Sequence, residues 1–117
     1  MCVVLLAAGP SLAAAPADAG KRLFFQCAAC HNLDAEAPPV FGPHLVGIVG
    51  RRAGSVEGFA YQDNGLQQHS LTWDEVTLDR WLADPSQVLP GICPSFTGLA
   101  DAGDRRALID YLKQPQP

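Results

Sequence analysis

Two thiols and an imidazole fall within five residues in Cys27-Ala28-Ala29-Cys30-His31. Thiolates are nucleophiles and metal ligands, and imidazole is a general ligand for iron, zinc and copper. On one helical turn, two cysteines three positions apart can each add to a vinyl group on the same edge of a porphyrin. The next residue then projects a ring nitrogen toward the metal. The spacing therefore predicts one covalently attached haem, held through Cys27 and Cys30, with His31 as an iron ligand. Two other chemistries use the same residue types. A dithiol redox pair would need a βαβ context, whereas residues 20–26 read as helix. A zinc site could recruit Cys27, Cys30, Cys93 and one of His44 or His69. Structural zinc ligands usually come as two close pairs, and Cys93 stands alone.

The elements that must position this motif are few. The chain has 117 residues, which fits one domain with a modest core, and a core of this size commonly leans on a metal, a cofactor or disulfides. A net charge of −4 argues against a nucleic-acid binder, which would carry a basic face. Residues 17–26 predict a first helix that runs into the motif. Residues 32–71 read as loop, since Pro38-Pro39, Gly42-Pro43, Gly47, Gly50, Gly54, Gly58 and Asn64-Gly65 interrupt them too often for long elements. A loop of that length suits a chain wrapped around a large flat cofactor better than an ordinary globular fold. Thr72-Trp73-Asp74-Glu75 predicts a capping box with Thr72 at the N-cap. The helix that follows places Leu78, Trp81 and Leu82 on one face and stops at Asp84-Pro85. A second loop covers residues 86–99. A last helix runs from about Asp101 to about Gln114 with Leu108, Tyr111 and Leu112 as its apolar stripe. No strand of useful length is predicted.

The N-terminus joins a short apolar run, Val3-Val4-Leu5-Leu6-Ala7-Ala8, to the small residues Ala13-Ala14-Ala15. This pattern predicts a secretory signal over residues 1–13, cut after Ala13, and a mature domain over residues 14–117. The run is too short to span a bilayer, so the protein is not itself transmembrane. The first charge is Asp18, so the basic segment that usually opens such a signal is missing. Removing the signal removes Cys2 and leaves Cys27, Cys30 and Cys93, an odd number for a disulfide framework.

These residues, taken in order, resemble the small class I cytochromes c of bacterial periplasmic and mitochondrial type. The matching run starts with Gly20 and Phe24 before the Cys27–His31 motif and continues with Gly42-Pro43-His44-Leu45 and Gly50-Arg51-Arg52-Ala53-Gly54. Gly58-Phe59-Ala60-Tyr61, Trp73, Leu82-Ala83-Asp84-Pro85, Pro90-Gly91, Phe96-Thr97-Gly98-Leu99 and Tyr111-Leu112 complete it. The resemblance implies an all-α fold of three to five helices and long loops around one covalent haem c. In it the first and last helices cross, with Gly20 and Phe24 against Tyr111. It implies that the Pro43 carbonyl orients His31, and that Arg51, Tyr61 and Trp73 pair with the haem propionates. Tyr61 and Trp73 as plain core aromatics, and Arg51 as a solvated charge, are the alternatives. His44 and His69 read as surface histidines.

One departure stands out. The family's second loop supplies a Met as the sixth iron ligand, and that position here is Pro94. The only Met in the chain is Met1. The neighbouring Cys93 is a candidate sixth ligand or a bystander thiol that behaves as a small hydrophobe. The resemblance implies a monomeric, periplasmic, non-enzymatic carrier of single electrons between membrane or periplasmic oxidoreductases. With Lys21 and Lys113 the only lysines, its docking should not use a lysine ring. Two alternatives follow from the missing Met: a haem with an open or Cys-ligated sixth position that binds small ligands, or an accessory haem subunit of a larger redox complex.

Overall fold

The computed structural model describes residues 16–61, 66–68, 70–91 and 95–115. Four α-helices follow one another: α1 (Pro16–Ala28), α2 (Glu75–Ala83), α3 (Pro85–Val88) and α4 (Ala102–Lys113), with a 3₁₀ turn at Leu66–Gln68. Among the described residues no strand forms, and the one extended pairing is an isolated antiparallel bridge between Arg52 and Thr72. The predicted signal over residues 1–13 lies outside the described residues.

Helix α4 is built around a capped start and an apolar face. Asp101 accepts a hydrogen bond from the Asp104 amide at 2.9 Å, which satisfies one of the four donors a helix start leaves open. Leu108, Ile109, Tyr111 and Leu112 are buried, and Leu108 and Ile109 are the best enclosed side chains of the core. Helix α1 crosses α4 where only a glycine fits. A Cβ on Gly20 would stand 2.3 Å from the Ala107 carbonyl oxygen and 2.4 Å from Tyr111 Cβ, so the two backbones can approach only because it is absent. Phe24 then packs on Tyr111 with ring centroids 5.9 Å apart.

Helix α2 differs from its sequence expectation at the start. Its N-cap is Asp74, which accepts from the Thr77 amide at 2.8 Å, and not Thr72. The reason is tertiary. The Trp73 amide donates to the Arg51 carbonyl at 2.8 Å and the Trp73 carbonyl accepts from the Gly50 amide at 2.7 Å. With Thr72 also paired to Arg52, residues 72 and 73 are committed to the loop and the helix begins only after them. Leu78 and Leu82 are buried in the core while Trp81, on the same face, is half-buried. The chain after Asp84 was expected to be loop. It instead makes one further turn, α3, with Pro85 at its first position, where a missing N–H costs nothing. Between α1 and α2 the loops carry the core residues Ile48, Ala53 and Trp73, and Leu89 at the end of α3 adds one more.

Candidate haem site

The last turn of α1 presents the motif. The amides of Cys30 and His31 both donate to the Cys27 carbonyl, at 3.1 and 2.8 Å, which tightens the turn as the helix ends. Cys27 and Cys30 are half-buried and no disulfide joins them. The next loop is stitched to this turn: the Gly42 amide donates to the Cys30 carbonyl at 2.7 Å and the Leu45 amide to the Asn32 carbonyl at 2.9 Å. Between these two bonds, His31 Nδ1–H donates to the Pro43 carbonyl at 2.6 Å. That bond fixes the tautomer and leaves the Nε2 lone pair for a metal. A Cβ on Gly42 would lie 2.4 Å from His31 Cε1, so this glycine lets the backbone close on the flat of the ring.

Burial pushes the His31 pKa below its ordinary 6.5. The bond to Pro43 acts in the opposite sense and the nearby positive charge of Arg51 lowers it further. Neutral imidazole, the form that coordinates iron, is thereby favoured.

Arg51 has its guanidinium on the loop itself: Nη1 donates to the Val46 carbonyl and Nη2 to the His44 carbonyl, each at 3.0 Å. Tyr61 Oη accepts from the Val56 amide at 3.0 Å, and its ring meets Phe59 edge-on with centroids 4.8 Å apart. Burial pulls the Arg51 pKa below its ordinary value, and the nearby Tyr61 acts in the opposite sense. Trp73 is buried, backbone-bonded to Arg51, and meets Trp81 edge-to-face with centroids 5.9 Å apart. Trp81 in turn stacks on Phe96 at 5.3 Å. His44 is half-buried, its Nδ1 accepting from the Val46 amide at 3.2 Å. Cys93, Pro94 and His69 lie outside the described residues.

Sequence reasoning counted Trp81 only as an apolar helix face and missed its polar end. Its indole Nε1–H is buried and has no hydrogen-bond partner among the described residues. The signal was the residue type, since a core Trp brings a donor that needs an acceptor.

The residues fit a haem. The donor set has the right chemistry: two thiols on one turn, and an imidazole oriented from behind with one nitrogen left over. Large apolar side chains such as Leu33, Leu45, Leu71, Trp81 and Phe96 are only half-buried although they pack on the core. Such surface suits a flat apolar cofactor that covers it.

An all-helical chain with long loops around a Cys-x-x-Cys-His turn, and a proline carbonyl behind the histidine, defines a class I c-type cytochrome. Residues 17–116 match the family model described as "Cytochrome c". The chain is 41% identical over 97 residues to cytochrome c2 of Rhodoblastus acidophilus, covering 83% of this chain and 90% of that one. It is 46% identical over 99 residues to cytochrome c2 iso-2 of Magnetospirillum molischianum, covering 85% and 97%. Among solved structures, cytochrome cH from Methylobacterium extorquens superposes with a TM-score of 0.72 at 41% identity, covering 83% of this chain and 96% of that one. The chain belongs to the cytochrome c family. It carries one covalently bound haem c and is an electron-transfer haem protein, not an enzyme. Among the described residues no helix is long and apolar enough to cross a membrane.

Proposed function

We propose that this chain carries single electrons in the periplasm between membrane or periplasmic oxidoreductases, acting as a monomer. In this reading Cys27 and Cys30 hold the haem by thioether bonds, His31 Nε2 ligates the iron, and the Pro43 carbonyl keeps the imidazole oriented. The haem supplies a metal that cycles between two oxidation states. The protein's part is to hold that metal in a low-dielectric, fixed environment, so that little rearranges when the charge changes. In the same reading Trp73, Tyr61 and Arg51 are the residues that hold the propionates. The observation that carries the reading is the 2.6 Å bond from His31 to Pro43 on the turn that bears both cysteines. The acidic balance of the chain suits partners with neutral or basic docking patches.

The test is covalent retention. Haem should stay with the wild-type polypeptide through acid–acetone extraction and be lost when Cys27 and Cys30 are both replaced by Ala. Release of haem from the wild type would falsify the covalent attachment.

The absence of any Met but Met1 supports a second reading, in which the sixth position is not a thioether. Cys93 is proposed there as a thiolate ligand, which would favour ferric iron and lower the potential relative to a His/Met haem. Cys93→Ala should convert a low-spin ferric spectrum with thiolate character to high spin. An unchanged spectrum removes Cys93 from the ligand set.

A further inference from the structure

The two phenylalanines near the end of α1 are in opposite situations. Phe24 packs on Tyr111 of α4, whereas Phe25 is 74% exposed. Ala28 and Ala29, three and four residues on, share its side of the helix end and are exposed too. Across the turn that follows, the Gly42 amide donates to the Cys30 carbonyl at 2.7 Å, and Gly42 closes on the His31 ring. That bond brings the preceding residue, Phe41, to the attachment turn with 82% of its surface open. Val40 and the two prolines before it are exposed as well.

Single exposed apolar side chains are ordinary on a protein surface. Here Phe25, Ala28, Ala29 and residues 38–41 put seven exposed, uncharged residues at one turn, and a gathering of that kind marks a contact surface. The nearest charges stand at its rim: Lys21 and Arg22 one turn back along α1, Asp34 and Glu36 on the loop, all exposed. An apolar centre inside a polar rim is how protein contact surfaces are built. A lipid surface instead takes aromatics set among basic residues, whereas here two acids share the rim and the whole chain carries −4. A stable second copy needs about 20–30 residues a side, far more than this surface offers. A brief encounter with another redox protein buries less.

We propose that Phe25 and Phe41 form the docking contact for this chain's redox partner, a protein that meets them with an uncharged apolar patch. The proposal rests on the carrier reading above and gives it a place on the surface. The contact lies at the turn that holds both cysteines, so a partner seated there stands against the haem's point of attachment. One electron crosses it, leaving one centre oxidised and the other reduced, and no bond forms or breaks. Such an encounter depends little on salt, because no charges pair across its centre.

The test follows oxidation of the reduced holoprotein, at low carrier concentration, by washed membranes and then by soluble extract of the source organism. The faster of the two gives the reference rate. Replacing both residues, Phe25→Ser and Phe41→Ser, should cut that rate about tenfold, the scale of losing a well-packed contact residue. Each single change should give part of the loss. Val76, 71% exposed, stands on α2, which packs on α3 and α4 and not on α1. Val76→Ser should therefore stay within about twofold of wild type, the usual scale of a surface substitution. Raising the salt tenfold should change the wild-type rate by no more than about twofold. Haem absorption and the urea midpoint report whether each variant is folded, and the single variants carry the test if the double variant is not.

Variant rates within about twofold of wild type would overturn the proposal. An equal loss in Val76→Ser, or a wild-type rate that collapses with salt, would do the same. Binding of the wild type to protein-free vesicles of phosphatidylethanolamine and phosphatidylglycerol, lost in the double variant, would make lipid the occupant. A wild-type dimer in sedimentation, lost in the same variant, would make it a second copy. Either result overturns the redox partner. A haem-loaded wild type that neither fraction oxidises refutes the carrier reading and the contact with it. A wild type that is oxidised, with variants that match it, refutes only the docking contact.

Discussion

His31 shows how much a single site depends on groups that carry no metal chemistry of their own. Its orientation comes from a carbonyl, Pro43, and from the lack of a side chain, Gly42. Gly42→Ala should therefore disturb the iron without touching a ligand. The added methyl would meet His31 Cε1, so the loop or the ring must shift, at a cost of about 1–3 kcal/mol. The expected result is a lower urea midpoint together with an altered ferric absorption spectrum; a variant unchanged in both would show that the loop does not set the ring. The motif itself was legible because attachment chemistry dictates residue type and spacing along one turn. Trp81 was not, because a tryptophan at helical spacing reads as core until its buried N–H is seen to lack an acceptor among the described residues. Arg51 was expected to meet the propionates, and its bonds to Val46 and His44 depend on where the loop folds back.

Helix α2 carries the clearest pH dependence among the elements. The Asp74 carboxyl lies below its ordinary pKa of 3.8, chiefly because it accepts the Thr77 amide at the helix start. Glu75 lies below 4.5, chiefly through its bond with Lys113 on α4. Both folded values are depressed, so their contribution is complete above the ordinary carboxylate range and is lost as pH falls through the folded values. Asn caps a helix about as well as Asp but does not titrate. Asp74→Asn should thus leave the urea midpoint near wild type at neutral pH and flatten its fall below about pH 4. Equal acid slopes in the two proteins would show that Asp74 does not contribute. That this cap is Asp74, and not the Thr72 the sequence offered, follows from the bonds that bind Trp73 to Gly50 and Arg51.

At the scale of the whole molecule, the helices alone do not enclose a core large enough to fix the loops. Residues 32–61 contain no helix or strand, and their backbone bonds are scattered: Ala53 to Leu71, Trp73 to Arg51, Leu45 to Asn32. A loop of this kind is held by what it wraps, and a ligand that binds only the folded state stabilises it. Protein made without haem should show reduced helicity by circular dichroism and fast amide exchange at Ala53 and Trp73, both of which should be protected in the holoprotein. A rigid, protected loop in haem-free protein would count against the cofactor as its core.

The sequence by itself determined what is local or chemically constrained: the Cys27–Cys30–His31 turn, the three main helices with their apolar faces, the stops at Asp84-Pro85 and near Gln114, and the loop character of the stretch between. Those follow from side-chain periodicity, backbone permission at Gly and Pro, and the fixed spacing of an attachment motif. Only the tertiary structure decided where α2 begins, that residues 85–88 make another turn, where the Arg51 guanidinium goes, and that the bond from Gly42 to Cys30 brings Phe41 to the attachment turn. Each of these is settled between segments far apart in the chain, by carbonyls and amides that every residue carries and no residue type announces. A sequence states which side chains are present, while the partner of a backbone group exists only once the chain has folded.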